Sequence, residues 1–228
     1  MLPNVAVHVT FFPGANGGYG PGHTLFTHRL EGRAHGLGVR FRPGCFRPFL
    51  GAPVRSIADR SAALEDVFGR CGTEAAESVR NASSDAAMIA AADKLLIAKR
   101  VTLPPAARAA AAAVETIAGD PEITRVDHLA ASEGLSARAL QRLFAEHVGC
   151  TPKWAIRIYR LNDAARRLTD EESPDYADLA ARLGYSDQPH FTRDFRAVTG
   201  RSPAEFATAA RAAAPTGQKP DKQNGRRK

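Results

Sequence analysis

Arg138, Gln141 and Arg142 fall within five residues of one another, and Thr192, Arg193 and Arg196 fall within another five. Guanidinium and carboxamide groups are poor nucleophiles and poor bases at neutral pH, so their chemistry is recognition. A guanidinium is a rigid fork of N–H donors, and a carboxamide sets a donor beside an acceptor. Helical periodicity places Arg138, Gln141, Arg142 and Ala145 on one side of a helix whose other side carries Leu140, Leu143, Phe144 and His147. In the second cluster Pro189, Thr192, Arg193 and Arg196 face away from Phe191, Phe195 and Val198, with Asp187, Gln188 and His190 near the helix start. Base edges in the DNA major groove match such groups, because Arg pairs bidentately with guanine and Gln with adenine.

The two clusters occupy corresponding places in a duplicated unit. Leu129, Ala130, Ala131, Gly134 and Ser136 recur 50 positions later as Leu179, Ala180, Ala181, Gly184 and Ser186. One inserted residue then moves the offset to 51, and Leu140, Arg142, Phe144, Gly149 and Pro152 answer to Phe191, Arg193, Phe195, Gly200 and Pro203. Each copy reads as helix, glycine turn, capping serine, second helix, then Gly-x-x-Pro. In the first copy Thr124 with Asp127 predicts a capping box for a helix ending near Ser132, and Ser136 caps the next. Any amphipathic surface helix carries charge outward, so one copy alone would be a weak sign of DNA reading. Two copies are a strong one.

Between them Pro152 to about Thr169 predicts a helix of roughly 27 Å, close to the 34 Å or so of one DNA turn. Trp154, Ile158, Leu161 and Ala165 share its inner face, with Trp154 as a core anchor. Lys153, Arg157, Arg160 and Arg167 are expected to be available for phosphates, Arg157 foremost.

The chain has 228 residues, a hydrophobic fraction of 44% and a net charge of +7. It has no apolar run long enough for a membrane span and no secretory signal, so a cytoplasmic protein is expected. Bulk charge says little, because residues 105–211 hold 14 Lys/Arg against 15 Asp/Glu. Local charge says more: Ser136 to Arg167 holds seven bases against Glu146 and Asp163. Residues 211–228 read as a disordered basic tail.

The first fifty or so residues read as β. Val5, Val7, Val9 and Phe11 alternate, as do Leu37, Val39 and Phe41, while Pro13-Gly14, Gly17-Gly18, Gly20-Pro21-Gly22 and Pro43-Gly44 read as turns. Residues 56–101 are helical in composition, with Ile89, Ala92, Leu96 and Lys99 near helical spacing. Pro104-Pro105 breaks the chain and starts an Ala-rich helix, so the domain boundary is placed near Leu103 to Pro105. The expected fold class is α+β: a small β-rich N-terminal region with helices (1–103), then an all-α domain (104–210).

The stretch ARLGYSDQPHFTRDFR (Ala181–Arg196), followed by Gly200 and Ser202-Pro203, closely resembles the AraC/XylS family of bacterial transcription regulators. The resemblance covers about Ala106 to Ala210. It implies a seven-helix domain with two helix-turn-helix subdomains, whose recognition helices, 137–147 and 187–198 here, enter successive major grooves. Carried over by position, the DNA-facing residues are Ser136, Arg138, Gln141, Arg142, Arg157, Asp187, Gln188, His190, Thr192, Arg193 and Arg196. Pro189 stands where the family commonly has Ser. GVRFRPGCFRPFLGAP and SAALEDVFG resemble the N-terminal region of an AraC-like subgroup in which a β-rich sensor precedes the DNA-binding domain. Strands expected before Val5 are missing, which reads as a misassigned start or an incomplete sensor. Double-stranded DNA is the expected partner; RNA polymerase and an unidentified small-molecule effector are candidates.

Other chemistry is weakly signposted. His8, His23, His28 and His35 lack the spacing of a metal site, and no cofactor or catalytic residue is expected. The alternative reading is a cysteine-dependent repair or redox protein, with Cys45 activated by Arg42 and Arg47. The cysteine-rich metal site and Pro-Cys-His motif of such repair proteins are absent, so Cys45 reads as a small packed residue.

Overall fold

The computed structural model describes residues 3–23, 35–170 and 174–213. Among the described residues four short antiparallel strands form a sheet in the order β3-β1-β2-β4, with β1 His8–Phe11, β2 Gly17–Tyr19, β3 Leu37–Arg40 and β4 Ser61–Ala62. Val9 and Phe11 are buried from β1, as the alternation predicts. The Gly17-Gly18 pair is a correction. It lies inside β2, registered against Val9 and Thr10, not in a turn. Small size is used there for close packing: a Cβ on Gly17 would sit 2.9 Å from Ala62 O, and one on Gly20 only 2.0 Å from Ile57 O.

Helices α1 (Arg47–Leu50), α2 (Leu64–Phe68), α3 (Arg70–Arg80) and α4 (Asp85–Ala98), with a 3-10 turn at Val54–Ile57, complete the N-terminal half. The α4 face differs from the expected one. Met88, Ala92 and Leu95 point inward, while Ile89 is 51% exposed. The helix is apolar on nearly every side, so periodicity could not select the buried one; packing on α3 does. These elements share a core of Val7, Val9, Phe11, Phe46, Phe68 and Val79 among others.

Seven helices follow among the described residues: α5 (Pro105–Gly119), α6 (Val126–Ser132), α7 (Ala137–His147), α8 (Pro152–Asp170), α9 (Tyr176–Arg182), α10 (Gln188–Thr199) and α11 (Pro203–Ala213). Pro105 and Pro152 start their helices where a missing N–H costs nothing. Ile158, Leu161 and Leu168 of α8 are fully buried at the centre of a second core, with Leu140 and Phe144 on one side and Phe191 and Phe195 on the other. Burying a side chain of this size contributes about 1.5–3 kcal/mol. The linker helix therefore acts as a spine for both repeat copies.

The N-terminal half grips this spine and the first copy. Val5 belongs to the second core, and Asn162 Nδ2 donates to Pro3 O at 3.2 Å. Arg42 pairs with Glu115 of α5, and Arg47 Nε lies 3.2 Å from Glu146 Oε2 of α7. No helix among the described residues is long and apolar enough to cross a membrane. His28 and, beyond Ala213, the basic tail lie outside the described residues.

Candidate nucleic-acid interface

The repeat holds bond by bond. At the end of α6, Glu133 N–H donates to Leu129 O, Gly134 N–H to Ala131 O and Leu135 N–H to Ala130 O. Fifty residues on, Leu183, Gly184 and Tyr185 donate to Leu179, Ala181 and Ala180 in the same way. Gly134 and Gly184 have φ of 64° and 69°, the left-handed region that glycine enters without strain.

The caps locate the inserted residue. Ser136 Oγ accepts from Ala139 N–H at 3.2 Å and starts α7, as expected. In the second copy Asp187, not Ser186, does this work, its Oδ1 accepting from His190 N–H at 2.6 Å. Ser186 is the extra residue, and its hydroxyl donates to Asp187 Oδ2 at 3.1 Å. Helix α10 accordingly starts at Gln188, one residue later than expected. The bonds from His190 and Ser186 hold the Asp187 carboxyl below the usual carboxylate range, the His190 backbone bond contributing most. The proposed Thr124–Asp127 capping box does not form. Arg125 is the N-cap residue of α6, and its guanidinium takes the Asp127 carboxylate in two bonds of 3.0 Å.

Arg138, Gln141 and Arg142 are exposed on α7, while Leu140 and Phe144 are fully buried behind them. On α10, Gln188, His190, Arg193 and Arg196 are exposed and Thr192 is half-buried. The His190 ring packs edge-on to Tyr185, with centroids 5.2 Å apart. Each copy thus offers guanidinium and polar groups on a helix anchored by two buried large side chains.

Arg157 is already paired within the fold. It is not a loose cation facing outward: its Nε donates to Asp194 Oδ2 at 3.1 Å, its Nη2 lies 2.6 Å from Oδ1, and it stacks over Trp154. Arg166 and Arg167 are both paired with Asp163, and Arg160 lies over the Tyr185 ring at 4.3 Å. Burial lowers the Arg160 pKa. Lys153 remains exposed, on the cleft between the two copies that Arg125, Tyr185 and His190 also line. Asp194 and Tyr185 were missed by sequence reasoning. Their signal was present: Asp194 shares the inward stripe of Phe191, Phe195 and Val198, and a carboxylate there calls for a cation.

A profile described as a helix-turn-helix domain matches residues 129–209, spanning both copies, and one described as a domain of unknown function (DUF6597) matches residues 1–63. Over 82 residues, 36% of this chain, it is 37% identical to the probable transcription factor PqrA of Proteus vulgaris. The chain belongs to the AraC/XylS family. A second relative, the transcriptional activator NphR of a Rhodococcus species, is 36% identical over 87 residues, 38% of this chain. The matches span 66% of the length of PqrA and 25% of NphR. Among solved structures, a transcriptional regulator with an AraC-type DNA-binding domain from Chromobacterium violaceum is 29% identical, covering 45% of this chain and 90% of its own, at a TM-score of 0.41. The DNA-binding domain of AdpA in complex with a target DNA is 31% identical, covering 50% of this chain and 98% of its own, at a TM-score of 0.40.

Neither Cys45 nor Cys150 has a lowered thiol pKa. Burial outweighs the nearby Arg42 charge and raises the Cys45 thiol pKa, the opposite of the lowering expected from its arginine neighbours. Cys150 is buried and pushed up to about 12.

Proposed function

We propose that this chain is a transcription regulator that binds DNA sequence-specifically, with α7 and α10 reading successive major grooves on one face of the duplex. The observation that carries this reading is the duplicated turn and cap, each presenting an exposed arginine-bearing helix face, with both copies packed on one spine. Residues 104–210 are the DNA-binding domain, residues 1–103 a sensor-like region and 211–228 a basic tail. The 19 residues of α8 span about 28 Å, which suits two grooves one turn apart. Arg138, Gln141 and Arg142 read one half-site; Gln188, His190, Thr192, Arg193 and Arg196 read the other. The Ser136 and Asp187 caps bring the helix starts, with their outward-pointing N–H groups, toward phosphates. The relatives' names, a probable transcription factor and a transcriptional activator, support regulation, and an activating output would add RNA polymerase as a partner.

Selection of bound duplexes from a random pool tests this directly. A bipartite motif with halves about one turn apart is expected. Arg142→Ala and Arg193→Ala should each weaken binding by about 1–3 kcal/mol and relax base preference in their own half only. Absence of any enriched motif, or wild-type binding by both variants, would overturn the assignment. Lys153→Ala should weaken all sequences evenly and lower the salt slope by about one.

A further inference from the structure

We propose that Asp194 is a positioning residue that sets the angle of α10 against the linker helix, and so fixes the second reading head relative to the first. This rests on the DNA-reading function proposed above, but its geometry stands apart from it. The Asp194 carboxylate accepts three bonds that leave it little freedom: Arg157 Nε at 3.1 Å and Tyr185 Oη at 2.7 Å on Oδ2, with Arg157 Nη2 at 2.6 Å from Oδ1. Arg157 lies on α8, Tyr185 in the turn after α9, and Asp194 on α10, so one side chain ties three segments. A bidentate fork constrains direction as well as distance.

The repeat supplies an internal control. At the offset of 50 Tyr185 answers to Leu135, and at the offset of 51 Asp194 answers to Leu143. Leu135 and Leu143 pack, partly buried, against the common core. At these two positions the first head is therefore seated by apolar contact, which has no preferred direction. In the second head the same two positions have become a hydroxyl and a carboxylate, which do. Tyr185 keeps its proton for this bond, because burial and Asp194 push the phenol pKa up.

The brace is also backed from behind. The Arg157 guanidinium lies 5.0 Å from the Trp154 ring, and that ring lies 4.4 Å from His23, whose Nδ1 is 2.6 Å from Asp59 Oδ2. The row runs from the N-terminal half through the linker helix to the second reading head.

The test uses the full chain with Cys45→Ser and Cys71→Ser, spin-labelled at Gln141→Cys and Ala197→Cys. The parent should give one narrow inter-label distance. Asp194→Asn and Asp194→Leu, the second of which recreates the Leu143 arrangement, should broaden it with helix content unchanged. An unchanged distance distribution in both variants overturns the proposal, whatever the DNA results. The second arm uses the motif selected by wild type, with the spacing between its halves altered by one base pair. Wild type should lose about tenfold on the altered spacing, the size of one lost base-pair readout, and Asp194→Asn should lose less than about threefold while keeping its first-half preference. Equal spacing penalties in both proteins would also overturn it. If wild type selects no motif, the DNA-reading function falls, and the label distances still decide the positioning role.

Discussion

Ser136 and Asp187 perform one task with different chemistry, and the comparison isolates what a cap contributes. Ser136→Ala should cost about 1 kcal/mol in urea unfolding, because one orphan N–H of α7 loses its acceptor. Asp187→Ala should destabilise in the same direction and should lose part of its effect below the depressed titration range of Asp187, where the wild-type carboxylate is protonated. The turn glycines, the Ser136 cap and the buried Leu140, Phe144, Phe191 and Phe195 were all legible, since each follows from a local conformational need or a helical period. Asp187 was not legible as the cap, because Ser186 kept the 50-residue offset and either side chain can do the work. The Arg157–Asp194 pair was not legible for a different reason: the partners lie 37 residues apart, and only the fold brings the two together.

At the scale of elements, the linker helix and strand β2 show what periodicity can and cannot supply. Helix α8 was predicted nearly to its ends, because its apolar stripe is continuous and a proline opens it. Leu161→Ala, at the centre of that stripe, should cost about 2–5 kcal/mol, with α7 and α10 loosened together. Strand β2 escaped detection because its glycines carry no hydrophobic pattern; Gly17, like Gly20 just beyond the strand, answers to the approach of neighbouring backbone. Gly20→Ala should therefore destabilise by about 1–3 kcal/mol, as an overpacked site does, though the position looks like an unconstrained turn. A urea midpoint for each variant settles both expectations.

For the whole molecule, the two cores meet through α5, α7 and α8, and that seam carries titratable groups. His147 is buried at the end of α7, and its pKa is lowered first by burial and then by Arg47 from the N-terminal half. His8 is lowered by burial and by Arg40. Both groups bind a proton more readily unfolded than folded, so the stability they permit is present above about pH 6.5 and falls as pH drops below it. Urea midpoints should decline between pH 7.5 and pH 5.5, and His147→Leu should flatten part of that slope. An equal slope in the variant would show that His147 does not supply it.

The chain's single tryptophan lies in this same seam, between a histidine of one half and an arginine of the other. Indole emission from the unlabelled protein is consequently a one-site gauge of whether the halves are engaged. Any effector that parts them should shift or quench that light before helix content changes. Screening compounds by fluorescence would then report any ligand that parts the halves, without knowledge of a genomic target.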